Sequence, residues 1–302
     1  MHEGKEPIMS NISSNGISRR GFLKATFAGL GVVALGGLAA CGNSGTSSSD
    51  KSGSAAAGSA TLTVAASPTP HAEILNKFAA PKLKEQGIEL KVKEYTDYIQ
   101  PNKDTTSGAV DANYFQHINY LDNYNKENKT DLVSVGKIHY EPFGIYAGKS
   151  KDLKNIADGA TFAVPNDPTN EGRALLILQD QGLIKLSDDA GITATKKDIV
   201  DNPHNIDIVE QEAASLPATL QDSDFAVING NYAIDAGLSL KDAVASEDPK
   251  SDVIQKEYAN IICTTKDKEN DEAIKALVDV LQTDDFKDYL DKTFDGAVLP
   301  AF

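Results

Sequence analysis

From Ala60 onward, short apolar runs alternate with amphipathic ones, and this alternation constrains the fold more than any single motif. Thr61-Leu62-Thr63-Val64-Ala65 reads as a strand, and Pro70 to Gln86 as a helix with Ile74, Leu75, Phe78 and Leu83 on one face. Ile88-Glu89-Leu90-Lys91-Val92 follows with strand periodicity. A short helix after Pro101 leads to a small strand at Ala109 to Ala112, and another helix covers about His117 to Asn128. Strands are expected at 132–135, 143–147, 160–164, 206–209, 224–228 and 258–264, with a helix near 216–221. Two amphipathic helices, about Asn270 to Gln282 and Asp284 to Thr293, close the chain. Parallel strands need crossover connections, so the pattern predicts an α/β fold with mainly parallel sheets flanked by helices.

The 302 residues, 40% of them hydrophobic, suffice for two lobes or domains. A net charge of −15 excludes nucleic acid as a partner, because no basic stripe exists to neutralise phosphates. The two cysteines, Cys41 and Cys263, sit in unlike contexts, so no structural disulfide is expected. Five scattered histidines lack metal-ligand spacing, so neither a metal site nor a cofactor is expected.

The first forty residues have the pattern of a targeting segment. Ser18-Arg19-Arg20-Gly21-Phe22-Leu23-Lys24 precedes an uncharged run from Ala25 to Ala40, shorter than the ~20 residues a spanning helix needs. The arginine pair resembles a twin-arginine export signal, with an ordinary secretory leader as the alternative. The run ends at Leu38-Ala39-Ala40-Cys41, which resembles a lipobox whose cysteine is acylated and becomes the new N-terminus. Residues 41–60 then read as a lipidated cysteine and a flexible tether. A leader with four basic and two acidic residues takes two positive charges with it, leaving about −17. Such a surface repels anionic lipid, so the acyl chain on Cys41 would anchor the protein on the extracytoplasmic face of the cell membrane.

The stretch from Ala163 to Arg173 joins a strand to a helix through two prolines and two asparagines, with Asn170 as the expected N-cap. Arg173 then falls in the helix's first turn, where a cation is disfavoured unless it and the free amides together face an anion. A carboxylate or phosphate receptor is expected, the alternative being a pair with Glu171 or another local acid. Three clusters fall at the carboxyl ends of expected strands, where ligands bind in such sheets. They are Tyr95-Thr96-Asp97-Tyr98; Asn113 to His117 with Tyr120 one turn on; and Asn229-Gly230-Asn231-Tyr232. With Arg173 they suit a small zwitterion with an apolar side chain, and aromatic walls also suit a thioether sulfur. Gly-x-Ser-x-Gly, phosphate-binding glycine loops and His-Glu-x-x-His are lacking in the sequence, so no enzyme is expected and His117 reads as a wall residue.

These segments resemble the methionine-binding lipoproteins (NlpA-type) of ATP-driven amino-acid importers. The likeness runs from about residue 61 to the end. It is carried by Pro70-His71-Ala72-Glu73-Ile74-Leu75, Asp111 to His117, Glu141-Pro142-Phe143-Gly144-Ile145-Tyr146, Val164 to Asn170, and Val227-Ile228-Asn229. It implies a two-lobed type II periplasmic-binding-protein fold, with residues 61–142 plus 266–302 in one lobe and 143–265 in the other. It further implies that Arg173 takes the ligand α-carboxylate and Asn229 its backbone polar groups, while Tyr98, Phe115, His117 and Tyr120 surround a methionine side chain. The implied function is capture of methionine, L-methionine foremost, and delivery to permease and ATPase subunits. A methionine dipeptide or another small apolar amino acid is the nearest alternative; an extracytoplasmic enzyme or an adhesion lipoprotein is the more distant one. Two departures from the family pattern stand out: Glu171 where an uncharged residue is frequent, and Gly230 where threonine is common.

Overall fold

The structure, a computed structural model, describes residues 60–302; the leader, Cys41 and the tether lie outside the described residues. In chain order the strands are β1 (Ala60–Ala66), β2 (Ile88–Glu94), β3 (Ala112–His117), β4 (Val133–Tyr140), β5 (Gly144–Ala147), β6 (Thr161–Pro165), β7 (Lys185–Leu186), β8 (Ile199–Asp201), β9 (Asp207–Gln211), β10 (Phe225–Ile228), β11 (Ala243–Ser246), β12 (Asn260–Thr264) and β13 (Leu299–Pro300). The α-helices are α1 (Ala80–Glu85), α2 (Gln100–Ser107), α3 (Ile118–Asn128), α4 (Pro168–Asp180), α5 (Leu216–Thr219), α6 (Gly230–Asp235), α7 (Asp252–Glu257), α8 (Glu272–Leu281) and α9 (Asp284–Phe294). A further helical stretch over 68–79 leads directly into α1.

Two large sheets organise these elements, in the orders β13-β4-β12-β3-β1-β2 and β11-β5-β10-β6-β9, beside a two-stranded β7-β8 sheet. The ladders β1–β2, β1–β3, β6–β9 and β6–β10 are parallel. Strands β12, β4, β13, β5 and β11 enter antiparallel, so the sheets are mixed. The chain crosses between sheets twice, at 141–143 and at 247–259, which gives the two-lobed architecture. Because β12 pairs with both β3 and β4, the chain has rejoined the first sheet before residue 260. The expected return at 266 falls after that strand. Its apolar run Ile261-Ile262-Cys263 fits the centre of either sheet equally well, so periodicity alone does not choose.

Each lobe has its own core. The expected helix face of Ile74, Leu75, Phe78 and Leu83 is buried against β1 and against Leu277, Leu281, Phe286 and Leu290 of the closing helices. In the second lobe Phe162 of β6 and Phe225 of β10 stack with ring centroids 4.8 Å apart, beneath Leu175 and Leu178 of α4. Strand β3 runs from Ala112 to His117, later than the expected 109–112. All six of its residues are buried, polar ones included, because Asn113 and Gln116 exchange hydrogen bonds with Asn102 and Thr105 of α2. A fully paired amide network can lie in a core at little cost, whereas an unpaired one cannot.

Helix α4 positions the site and leans closely on the loop beyond it. A Cβ at Gly172 would lie 2.3 Å from the Ile192 carbonyl oxygen. Intrinsic propensity favours alanine over glycine within a helix by roughly 1 kcal/mol. Here the clash outweighs it, and Gly172→Ala is expected to destabilise by about 1–3 kcal/mol in urea unfolding. An unchanged or raised midpoint would contradict this packing.

Candidate ligand-binding site

Tyr98, Phe115, His117, Tyr120, Arg173 and Asn229, all singled out from sequence, line one pocket. Gln116, Glu141, Asn170, Gly230, Asn231 and Asn260 complete it. Three of its walls rise from the carboxyl ends of parallel strands: His117 ends β3, α4 follows β6, and Asn229 follows β10. The aromatic wall is mutually packed, with the rings of Tyr98, Phe115 and Tyr120 at 5.8–5.9 Å centroid spacing. Burial raises the phenols of Tyr98 and Tyr120, so both stay neutral hydrogen-bond donors. The Tyr98 hydroxyl donates to Asn231 Oδ1, and the Tyr120 hydroxyl to the Tyr98 carbonyl at 3.1 Å.

His117 uses both ring nitrogens. Nδ1 accepts from the Tyr120 N–H at 3.1 Å, capping α3, and Nε2 faces Asn170 Oδ1 at 3.3 Å. Asn170 Oδ1 also accepts from Asn229 Nδ2 at 2.9 Å, so one side-chain oxygen ties β3, α4 and the end of β10 together. Burial, with Arg173 adding to it, holds the His117 imidazole down at about 3, so it is neutral at pH 7.

The start of α4 differs from expectation. The helix begins at Pro168, with Asp167 as its N-cap: Asp167 Oδ1 accepts from the Asn170 N–H at 3.0 Å. Proline at the first helical position and aspartate just before it are the residues that pre-form a helix start, which places it ahead of Asn170. The Asn170 amide is therefore occupied, and Arg173 lies beyond the first turn. Helix amides do not form the anion receptor that the stretch led us to expect.

Arg173 is instead held by a distant acid. Its Nε and Nη2 donate to Glu247 Oε1 and Oε2, both at 2.6 Å, and Nη2 also donates to the Glu141 carbonyl at 2.9 Å. Its Cζ sits 4.2 Å from the Tyr258 ring centroid and 4.9 Å from that of Phe143. Burial opposes the charge, but the Glu247 carboxylate more than offsets it and Arg173 stays protonated. Glu247 also accepts from the Tyr140 hydroxyl at 2.6 Å and the Phe143 N–H at 2.9 Å. Since 141–143 and 247 belong to the two crossovers, Arg173 and Glu247 together pin the hinge. Glu171 is not the partner; its Oε1 accepts from the Lys196 N–H at 3.0 Å.

Two pocket groups are left with hydrogen-bonding capacity. Nη1 of Arg173 has no hydrogen-bond partner among the described residues, and the buried Oδ1 of Asn229 has none either. One is a donor beside a positive charge and the other an acceptor, the pair a zwitterion can use.

Sequence reasoning did not find the buried group behind Glu141. His139 Nε2 lies 2.7 Å and His71 Nε2 3.5 Å from Glu141 Oε1. One ring nitrogen of each histidine and a Glu141 carboxylate oxygen all lie within 4.8 Å of one another, a convergence that sequence separation concealed. The available signal was the two-residue spacing of His139 and Glu141, which puts both on one face of an extended segment. Gly230 also gains a reason: a Cβ there would lie 2.7 Å from the Glu141 Cβ, so glycine lets α6 approach that wall.

The NlpA lipoprotein family model matches residues 62–302. The methionine-binding lipoprotein MetQ of Bacillus subtilis is 46% identical over 245 residues, covering 79% of this chain and 87% of that protein. A nutrient-binding protein from Burkholderia cenocepacia, solved bound to methionine, superposes with a TM-score of 0.75 at 41% identity, over 80% of this chain and all of that one. The substrate-binding protein of a methionine transporter from Streptococcus pneumoniae gives a TM-score of 0.75 at 36% identity, over 80% and 96% of the two chains. On the family match and the 46% identity, the chain belongs to the NlpA lipoprotein family.

Proposed function

We propose that this protein is the lipid-anchored, extracytoplasmic receptor of an ABC importer, and that the pocket captures methionine and presents it to permease and ATPase subunits. The observation that carries the reading is the pairing of unsatisfied groups with an aromatic box. Arg173 Nη1 faces the ligand carboxylate and Asn229 Oδ1 the ammonium, while Tyr98, Phe115, His117 and Tyr120 enclose the thioether. The methionine-bound relative supports methionine as the ligand. Between this pocket and a neighbouring hollow stand Tyr98 and Tyr120, joined by their hydrogen bond. That closed wall favours a single amino acid over a dipeptide. Binding rather than turnover is favoured because both nitrogens of His117, the candidate general base, are engaged.

The test is a thermal-shift panel on protein unfolded and refolded to strip carried ligand, using amino acids, D-methionine and methionine dipeptides. Ligand at a hundred times its dissociation constant adds about 2.7 kcal/mol, a clear shift in Tm. L-methionine is expected to give the largest rise. No rise with any amino acid favours an adhesion lipoprotein, and consumption of the ligand favours an enzyme. The anchor has its own test: Cys41→Ser is expected to release the protein into the medium, and retention on the membrane contradicts acylation at Cys41.

A further inference from the structure

We propose that His139 is a positioning residue for ligand capture: with Tyr114 behind it, His139 holds the Glu141 carboxylate at the pocket wall as the acceptor for the ligand's ammonium. This rests on the reading of the pocket as an amino-acid site and adds a counter-ion that neither Arg173 nor Asn229 supplies.

The direction of the hydrogen bonds carries the inference. His139 lies on β4 with no exposure, between the Tyr114 hydroxyl at Nδ1 and Glu141 Oε1 at Nε2. With Glu141 ionised, a lone pair on Nε2 would face a carboxylate oxygen at 2.7 Å and be repelled. The proton therefore sits on Nε2, and Nδ1 accepts from the Tyr114 hydroxyl. The result is a one-way chain, Tyr114 O–H to His139 to Glu141, whose last member lines the ligand pocket. His71 flanks it: its Nε2 donates to Asn260 Oδ1 at 2.9 Å, and Asn260 is a pocket residue too.

Burial keeps His139 down at about 3 and His71 at about 4, so both imidazoles are neutral donors at working pH. Burial also raises the Glu141 carboxyl, opposed by His71, the Asn231 N–H and Arg173. The phenols of Tyr98 and Tyr114 are raised by their own burial and by the Glu141 charge, and remain protonated. Since Arg173 is matched by Glu247, Glu141 is the pocket's unmatched charge. A ligand ammonium meets that charge beside the guanidinium that meets its carboxylate. Gly230 permits the arrangement by admitting α6 against the Glu141 side chain.

The experiment compares L-methionine with 4-(methylsulfanyl)butanoic acid, which lacks only the ammonium, by calorimetric titration from pH 5 to 8. Wild type should prefer methionine strongly, with affinity falling only as pH drops through the Glu141 pKa. His139→Phe removes a donor to a charged acceptor. The fall should then begin about one to two pH units higher, and at pH 6 the preference for methionine should shrink about tenfold or more. Tyr114→Phe, which deletes one hydroxyl and preserves the ring, should move both readouts the same way by less. His139→Gln keeps an N–H for Glu141 and should restore them towards wild type. Equal weakening of both ligands in His139→Phe with an unmoved pH profile would overturn the proposal, as would an unmoved profile in Tyr114→Phe if His139→Phe does not fold. Failure of wild type to bind methionine would instead overturn the receptor reading itself.

Discussion

Replacing Arg173 with alanine is expected to cost the ligand-free protein about 3–5 kcal/mol of stability, the range for stranding one member of a buried ion pair. Against a total of roughly 5–15 kcal/mol for a folded domain, that loss is large. The cause is Glu247, whose side chain is 4% exposed and would lose the guanidinium that matches it. The two crossovers would lose their common staple at the same time, because Arg173 binds the Glu141 carbonyl in one and the Glu247 carboxylate in the other. Arg173→Lys keeps a charge but cannot form the two-pronged contact, so it should fall between wild type and alanine. Methionine affinity should drop as well, through loss of Nη1 and loosening of the hinge. Urea unfolding without ligand separates these effects, and a stability change below 1 kcal/mol would refute the hinge role.

Asn229→Ala is expected to do the reverse, weakening methionine binding by about 10- to 150-fold while leaving stability nearly unchanged. The affinity figure follows from about 1.5–3 kcal/mol for a hydrogen bond to a charged group. The stability figure follows from the state of the side chain without ligand. Its Oδ1 is already buried and unpaired, so deleting it relieves a desolvation cost that offsets the lost bond from Nδ2 to Asn170. Asn170 Oδ1 keeps His117 Nε2 as a partner at 3.3 Å. A calorimetric titration beside a melting curve reads both quantities. Strong loss of both would make Asn229 a structural residue.

Much of this architecture was legible because apolar spacing reports burial on one face. Strands β1, β2, β6 and β10 and helices α8 and α9 all lie where period-two or helical patterns placed them. Strand β3 did not announce its full extent. Its asparagine and glutamine look like loop chemistry until Asn102 and Thr105 supply their partners from α2. The same holds for the far half of β4, where Tyr140 is buried beside Glu247, an acid that the chain brings in later. Within the site, aromatic and amide clusters at strand ends were readable one by one, since strand ends are where such sheets bind ligands. The setting of Arg173 was not. Its partner Glu247 stands 74 residues away, and no local pattern distinguishes it from the other acids of a chain with net charge −15. The Pro168 start of α4 was open to view and outweighs the Asn170 cap, so the bare-amide receptor was a misreading of local chemistry rather than a hidden fact.

The central claim is that the pocket shared by Tyr98, Phe115, His117, Tyr120, Arg173 and Asn229 is a receptor for one zwitterionic thioether amino acid. Calorimetric titration of refolded, ligand-free residues 42–302 with L-methionine tests it most directly. The account predicts saturable binding of one methionine per chain, greatly weakened in Asn229→Ala. Absence of heat and of saturation with methionine, in protein whose melting curve shows it folded, would contradict it.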